Sequence, residues 1–192
     1  MTISPGRLSA PTLLVVGRGI AEGRQRLAEA WAAWIATRHP SAVVGVEELA
    51  GPLRIILDIL PHMTGPLRRE ARETWFAATE LYGRLAEARG LSAGEVVDEL
   101  QHLRELLIVE LGDLIVALPA RQQLPAVLRL NRVMDAAVSN AVVGYTDALV
   151  AKMFSKDGVP VPTADSVHDL LAQIQGLEAE IRLLEERAPA HA

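Results

Sequence analysis

Glu99 and His102 stand at the Glu-x-x-His spacing by which di-iron bundles present two ligands on one helix face. Such a centre needs a second copy of the motif and two more carboxylates. No other Glu-x-x-His occurs, and Asp165-x-x-His168 falls beyond a proline-rich stretch. The pair reads better as a partly exposed histidine beside a helix carboxylate. A haem iron would need a proximal histidine set in an apolar wall. His39 adjoins Pro40, His62 follows Pro61 in an expected turn, and His102 only flanks an apolar stripe. Neither metal nor haem is expected, and no cofactor is assigned. The chain has no cysteine, which excludes disulfides, thiol catalysis and Cys-ligated zinc. Serines and threonines fall at helix caps or inside helices, with no histidine placed to activate them. Gly6, Gly17, Gly19 and Gly23 do not follow a strand, so no phosphate-binding loop is present. The expected chain is not an enzyme.

A second constellation is electrostatic. On a helical wheel Arg104 lies just off the apolar stripe of its helix, and Glu99 is placed off the opposite edge. Asp135 flanks the stripe of a later helix. The expectation is an inter-helix polar set of Glu99, Arg104 and Asp135, in which Arg104 bridges to Asp135 and fixes the register of two packed helices. The competing reading is ordinary surface charge, worth close to nothing.

The elements that must position these groups follow from periodicity. Leu81 to Leu118 reads as the end of one helix, a tight break and a second long helix. Gly90 suits the left-handed residue that ends a helix. Ser92 and Glu95 form an S-x-x-E capping box for the next one. Val96, Leu100, Leu103, Leu107, Leu111 and Leu114 then recur at helical spacing. Upstream, a first helix is predicted over Pro11 to Arg38, with Trp31 and Trp34 read as core anchors rather than an exposed patch. A second spans Val46 to Leu60, kinked at Gly51-Pro52 or starting at Pro52, and closed by Pro61. Thr64 is the expected cap of a third, which carries Trp75, Ala78, Leu81, Tyr82 and Leu85 inward. A fifth starts near Leu124-Pro125, and its Ala136, Ala137, Ser139, Ala141 and Gly144 allow close approach of a neighbour. No strand pattern and no repeat emerges.

The fold class predicted is therefore all-α: a bundle of about five helices over residues 1–155, then a Pro-containing linker and a coiled-coil output helix over 156–192. Lys156 to Pro162 supplies the linker. In the last helix Val167, Leu170, Ile174, Leu177, Ile181 and Leu184 form a heptad seam of the kind that pairs two parallel chains. The alternative is that this helix folds back on its own bundle. Glu180 facing Glu185 of a second chain would mildly oppose the pairing.

Half of the 192 residues are apolar and only 4% aromatic, so Ala, Leu, Val and Ile must build the core. The net charge of −5, with no Lys/Arg cluster expected to override it, disfavours nucleic acid. No apolar run approaches the roughly 20 residues that span a bilayer, nor does the N-terminus resemble a signal peptide. No membrane association and a cytoplasmic location are expected.

Tyr82 to Ser92 (YGRLAEARGLS) and Val96 to Glu105 (VVDELQHLRE) resemble the RsbT co-antagonist RsbRD N-terminal domain family, and Val133 to Leu149 is similar to its closing helix. The resemblance covers about Ala21 to Met153. It is clearest at Gly83, Gly90, Glu99, Leu103, Arg104 and Asp135. The chain departs from the family at Tyr82 and Ala86, where many members carry His and Arg. The resemblance implies a helical regulatory domain of bacterial stress regulators or histidine kinases, acting on anti-sigma-antagonist domains or kinases. The functional expectation is a non-enzymatic, dimeric sensory module relaying a stimulus through its last helix. The alternative is a soluble binder of a small apolar ligand or haem between helices.

Overall fold

The computed structural model describes residues 8–38, 46–154 and 164–187, with the side chains of 46–50, 52 and 164–171 outside that description. The described residues form an all-helical bundle: α1 (Ala10–Arg38), α2 (Val46–Thr64), α3 (Arg72–Ala88), α4 (Ala93–Glu110), α5 (Gly112–Ala117), α6 (Ala120–Phe154) and α7 (Ala164–Arg187). The expected helical bundle is what forms. The single helix predicted from Ser92 to Leu118 is divided at Leu111 into α4 and the short α5.

Helix ends obey local chemistry. Ser9 Oγ accepts from the Thr12 amide at 3.4 Å and opens α1, with Pro11 in the first turn, where a missing N–H costs nothing. The α3–α4 connection closes as the sequence requires. Gly90 has φ of +81°, the Leu91 amide donates to the Ala86 carbonyl at 3.1 Å, and the Gly90 amide donates to Glu87 at 2.9 Å. The Ser92–Glu95 capping box is present in both directions.

Two expectations for α2 are corrected. The helix is continuous through Gly51-Pro52, and it passes Pro61 to end at Thr64. Pro61 removes one amide donor, but Leu60 and Met63 on either side are buried and hold the last turn in the core. Thr64 is not the cap of α3. Its hydroxyl donates back to the Leu60 carbonyl at 3.0 Å, and residues 65–71 form turns before α3 begins.

The core gathers Ile20, Leu27, Trp31 and Ile35 of α1 with Ile56, Leu57 and Leu60 of α2. From the other side come Trp75, Leu81 and Tyr82 of α3, Val96, Leu100, Leu103 and Leu107 of α4, and Leu130, Met134 and Ala137 of α6. Trp31 is fully buried, as a core anchor should be, while Trp34 is half-buried. The tightest crossing joins α3 to α6. A Cβ added at Gly83 would lie 1.8 Å from the Ala141 carbonyl oxygen, and one at Gly144 would lie 2.0 Å from that of Glu80. The small-residue stripe read on the fifth predicted helix is thus used at Ala141 and Gly144.

α7 lies on α2 and α3 of its own chain. Leu177, Ile181 and Leu184 are buried in the core cluster and Ile174 packs at its edge. Arg54 pairs with Glu178, Thr74 Oγ1 donates to Glu180 Oε2 at 2.7 Å, and Arg84 donates to Gln173 at 3.3 Å. These contacts run α7 parallel to α2 and antiparallel to α3. Within this chain the described half of the seam is covered by α2 and α3, which is the fold-back arrangement weighed beside pairing with a second chain. Val167 and Leu170 belong to α7, but their side chains lie outside the described residues, as does the linker expected at 156–162.

The α3–α6 crossing makes a direct demand on Gly83. Gly83→Ala is expected to lower stability by about 3 kcal/mol through overpacking against backbone that cannot yield. Gly176→Ala has open space around its added Cβ and is expected to gain about 0.5–1 kcal/mol from helix propensity. Urea unfolding of both variants checks this; equal midpoints would show that the helices can separate cheaply.

Candidate functional site

The strongest polar feature of the molecule is wholly internal. Arg89 is the C-cap residue of α3, and Gly90 then turns the chain into α4. This turn aims the Arg89 side chain inward, where it is 1% exposed, onto Glu99 at 0%. The two make a fork-on-fork pair: Arg89 Nη2 donates to Glu99 Oε1 at 2.9 Å and Nη1 to Oε2 at 3.0 Å. Tyr82, two turns back on α3, donates its hydroxyl to Glu99 Oε2 at 2.5 Å. Trp31 of α1 donates its indole N–H to the Glu99 carbonyl at 3.0 Å, and its ring lies 5.5 Å from that of Tyr82. α1 and α3 thereby converge on one residue of α4, α3 on its carboxylate and α1 on its backbone carbonyl.

The electrostatics follow from burial. Removal from water, then the facing Glu99 carboxylate, pushes the Tyr82 hydroxyl well above its ordinary value, and Arg89 opposes this only in part. Tyr82 therefore stays a neutral donor. The carboxylate is saturated with donors and closed to solvent, so the arrangement positions helices and offers nothing for proton transfer to a substrate.

The sequence-predicted set is divided by the structure. Arg104 Nη2 does reach Asp135 Oδ1 at 2.6 Å across α4 and α6, with side chains 18% and 64% exposed. Glu99 is not part of that pair. Its placement at an opposite helix edge is corrected: it lies three residues after Val96 and four before Leu103, inside the buried stripe. Arg89 was overlooked. The signal was an arginine directly before the terminating glycine, with a carboxylate in line with the next helix's apolar stripe.

The described histidines, His62 and His102, lie in different surroundings and share no centre. His102 stacks on Trp34 with ring centroids 4.4 Å apart, and its Nδ1 lies 3.4 Å from Glu105 Oε2. With Glu99 turned to Arg89, the Glu-x-x-His spacing brings no ligand pair together. Among the described residues no group of three or more His, Asp or Glu converges to hold a metal. His62 sits in α2 rather than in a turn, and burial lowers its pKa despite the nearby carboxylates of Glu185 and Asp58. It borders a depression of about 240 Å³, below the roughly 300–1,000 Å³ of drug-sized ligand sites. His39 lies outside the described residues.

The α2–α7 contact carries its own charges. Asp58 receives Arg24 at 2.5 Å and Arg54 at 3.8 Å. Desolvation nonetheless raises its pKa, with Glu185 of α7 adding to that and both arginines opposing. The end of α7 thus brings the charge of Glu185 near His62 and Asp58. Among the described residues no helix is long and apolar enough to cross a membrane. Compared with models of known families, with curated proteins and with solved structures, the chain gives no significant match.

Two charge pairs of different burial should respond differently. Arg89→Leu or Glu99→Leu alone is expected to cost about 3–5 kcal/mol, because each strands a buried charge, while the double variant costs much less than the sum. Arg104→Ala is expected to cost under about 1 kcal/mol, since its partner is mostly solvated. Denaturant titration of the four variants decides; an equal loss in all would sink the distinction. Tyr82 adds a pH limb. Its folded value is raised above the unfolded 10.0, so stability holds in full below that pH and falls as pH rises beyond it. Tyr82→Phe should flatten this alkaline fall in a series of melting curves.

Proposed function

We propose that the chain is a non-enzymatic regulatory bundle whose last helix exchanges between its own bundle and a partner. The observation that carries this reading is the double fitness of one seam. Ile174, Leu177, Ile181 and Leu184 recur at heptad spacing, and the same residues fill the furrow between α2 and α3. A helix with two competing apolar surfaces is a two-state element, and whatever binds one state shifts the population toward it.

The energetics support exchange. Among its described side chains α7 contributes Leu177, Ile181 and Leu184 to the buried core. Its ties to Arg54 and Arg84 are exposed and contribute little, while the bond from the buried Thr74 to Glu180 is partly shielded. A helix held along one apolar face can open without unfolding the rest of the bundle. Met153 and Phe154, 72% and 80% exposed, bare further apolar surface at the end of α6 that a partner could cover.

In this reading the released helix pairs with a second copy in a homodimer or engages an output protein. The resemblance to the RsbRD N-terminal domains supports a partner of the kinase or anti-sigma-antagonist type, in cytoplasmic stress or two-component signalling. The domain senses, and the helix reports.

Light scattering across a concentration series tests this on the full chain and on the triple variant Leu177→Asp/Ile181→Asp/Leu184→Asp. The wild type should gain mass toward a dimer as concentration rises, while the variant stays monomeric with α7 open to trypsin at Arg182. A wild type that is monomeric throughout, with Arg182 protected from trypsin, would end the exchange reading.

A further inference from the structure

An open cleft of about 1090 Å³ lies where the start of α1, the turns after α2, the first turns of α3 and the first half of α6 meet. Its polar lining is one-sided: Arg68, Arg69, Arg72, Arg129 and Arg132 against the single carboxylate of Glu70. The whole chain carries a net charge of −5, so this cationic concentration runs against its composition. Elsewhere Arg24, Arg26, Arg54, Arg84, Arg89 and Arg104 each pair with an acid. Among the described residues, Arg68, Arg69, Arg72, Arg129 and Arg132 form no ion pair.

Arg129 has a structural duty. Its Nε donates to the Thr64 carbonyl at 3.2 Å and its Nη2 to the Gly65 carbonyl at 3.0 Å, closing the C-terminus of α2. It is half-buried, and both burial and the charge of Arg68 lower its pKa. Two guanidiniums are thus held close with no acid between them. Such repulsion in a concave wall focuses potential on an anion, and the guanidinium fork matches the paired oxygens of a phosphate or carboxylate.

The half-buried Phe76 and Leu128 add apolar surface to the wall, and Arg72 lies 5.1 Å over the Phe76 ring. A bare inorganic ion would leave this surface unused. The volume lies just above the roughly 300–1,000 Å³ typical of small-molecule sites.

We propose that this cleft binds a small organic anion, a phosphate or carboxylate headgroup carried on an apolar body. Arg68 and Arg132 with Arg129 receive the headgroup, and Phe76 and Leu128 receive the body. The proposal stands apart from the exchange of α7, since it requires only the cleft.

Isothermal titration of the full chain with octyl phosphate, kept below its micelle-forming concentration, tests it. Saturable one-to-one binding is expected, weakened by raised salt. Arg68→Ala/Arg132→Ala removes two exposed side chains that have no partner to lose. It should therefore fold as the wild type does by circular dichroism, yet bind at least about tenfold more weakly, the effect of one lost charge-assisted hydrogen bond. Octanol should not bind, and inorganic phosphate should bind more weakly than octyl phosphate. Unchanged affinity in the double variant would overturn the site. Equal affinity for inorganic phosphate would overturn the apolar part. Tighter binding of an oligonucleotide, or binding to anionic phospholipid vesicles with none to dispersed octyl phosphate, would overturn the assignment to a small free ligand. Failure here leaves the mass and protease measurements on α7 untouched, so the two readings fall separately.

Discussion

The ion pair between Arg89 and Glu99 constrains everything around it. Two charges out of water cost several kcal/mol each, and they persist only while each meets the other with near-ideal geometry. That geometry depends on the α3–α4 turn. Gly90 at φ +81° ends α3, and the Ser92 cap starts α4, so the side chain of the C-cap residue points into the angle between the two helices. The Tyr82 and Trp31 donors then fix the distance of α3 and α1 from α4. An apolar core of Leu and Ala alone tolerates sliding by a turn. A bidentate buried pair does not, because one helical turn of slip would leave both charges unpaired.

α3 is the element that shares in every other arrangement. Its last residues pin α4 through Arg89. Its centre meets α6 backbone to backbone at Gly83, and its outer face carries α7 through Thr74 and Arg84. Its first turn contributes Arg72 and Phe76 to the cationic cleft. A helix clamped at its middle and one end cannot absorb a displacement by bending at those points. α7 rests on this support through Leu177, Ile181 and Leu184 and through its bonds to Thr74 and Arg84.

Much of this was legible in the residues. The helical class, the α3–α4 turn, the capping box and the close-packing stripe of α6 rest on local rules, and local rules are carried by short spacings. The Arg104–Asp135 bridge was also anticipated, though not its solvent exposure, which depends on how far α6 overhangs α4. The end of α2 was misplaced because Pro61 argues locally for a stop, while the buried Leu60 and Met63 argue through the core for one more turn. Arg89 escaped notice because a C-cap side chain has no periodicity to betray it.

The seam of α7 shows the deeper limit. A heptad pattern states that one face of a helix must be covered; it does not state by what. The furrow between α2 and α3 is assembled from residues that meet α7 across 89 to 124 positions of sequence, and nothing in the pattern of α7 encodes it. Covering by the same chain has the advantage of high effective concentration, since α7 is tethered a short linker away from the furrow. Covering by a second chain must overcome the loss of translational freedom on association. The docked form is therefore the resting arrangement at low concentration. Pairing prevails only where a partner binds more tightly than the furrow, or where something weakens the furrow.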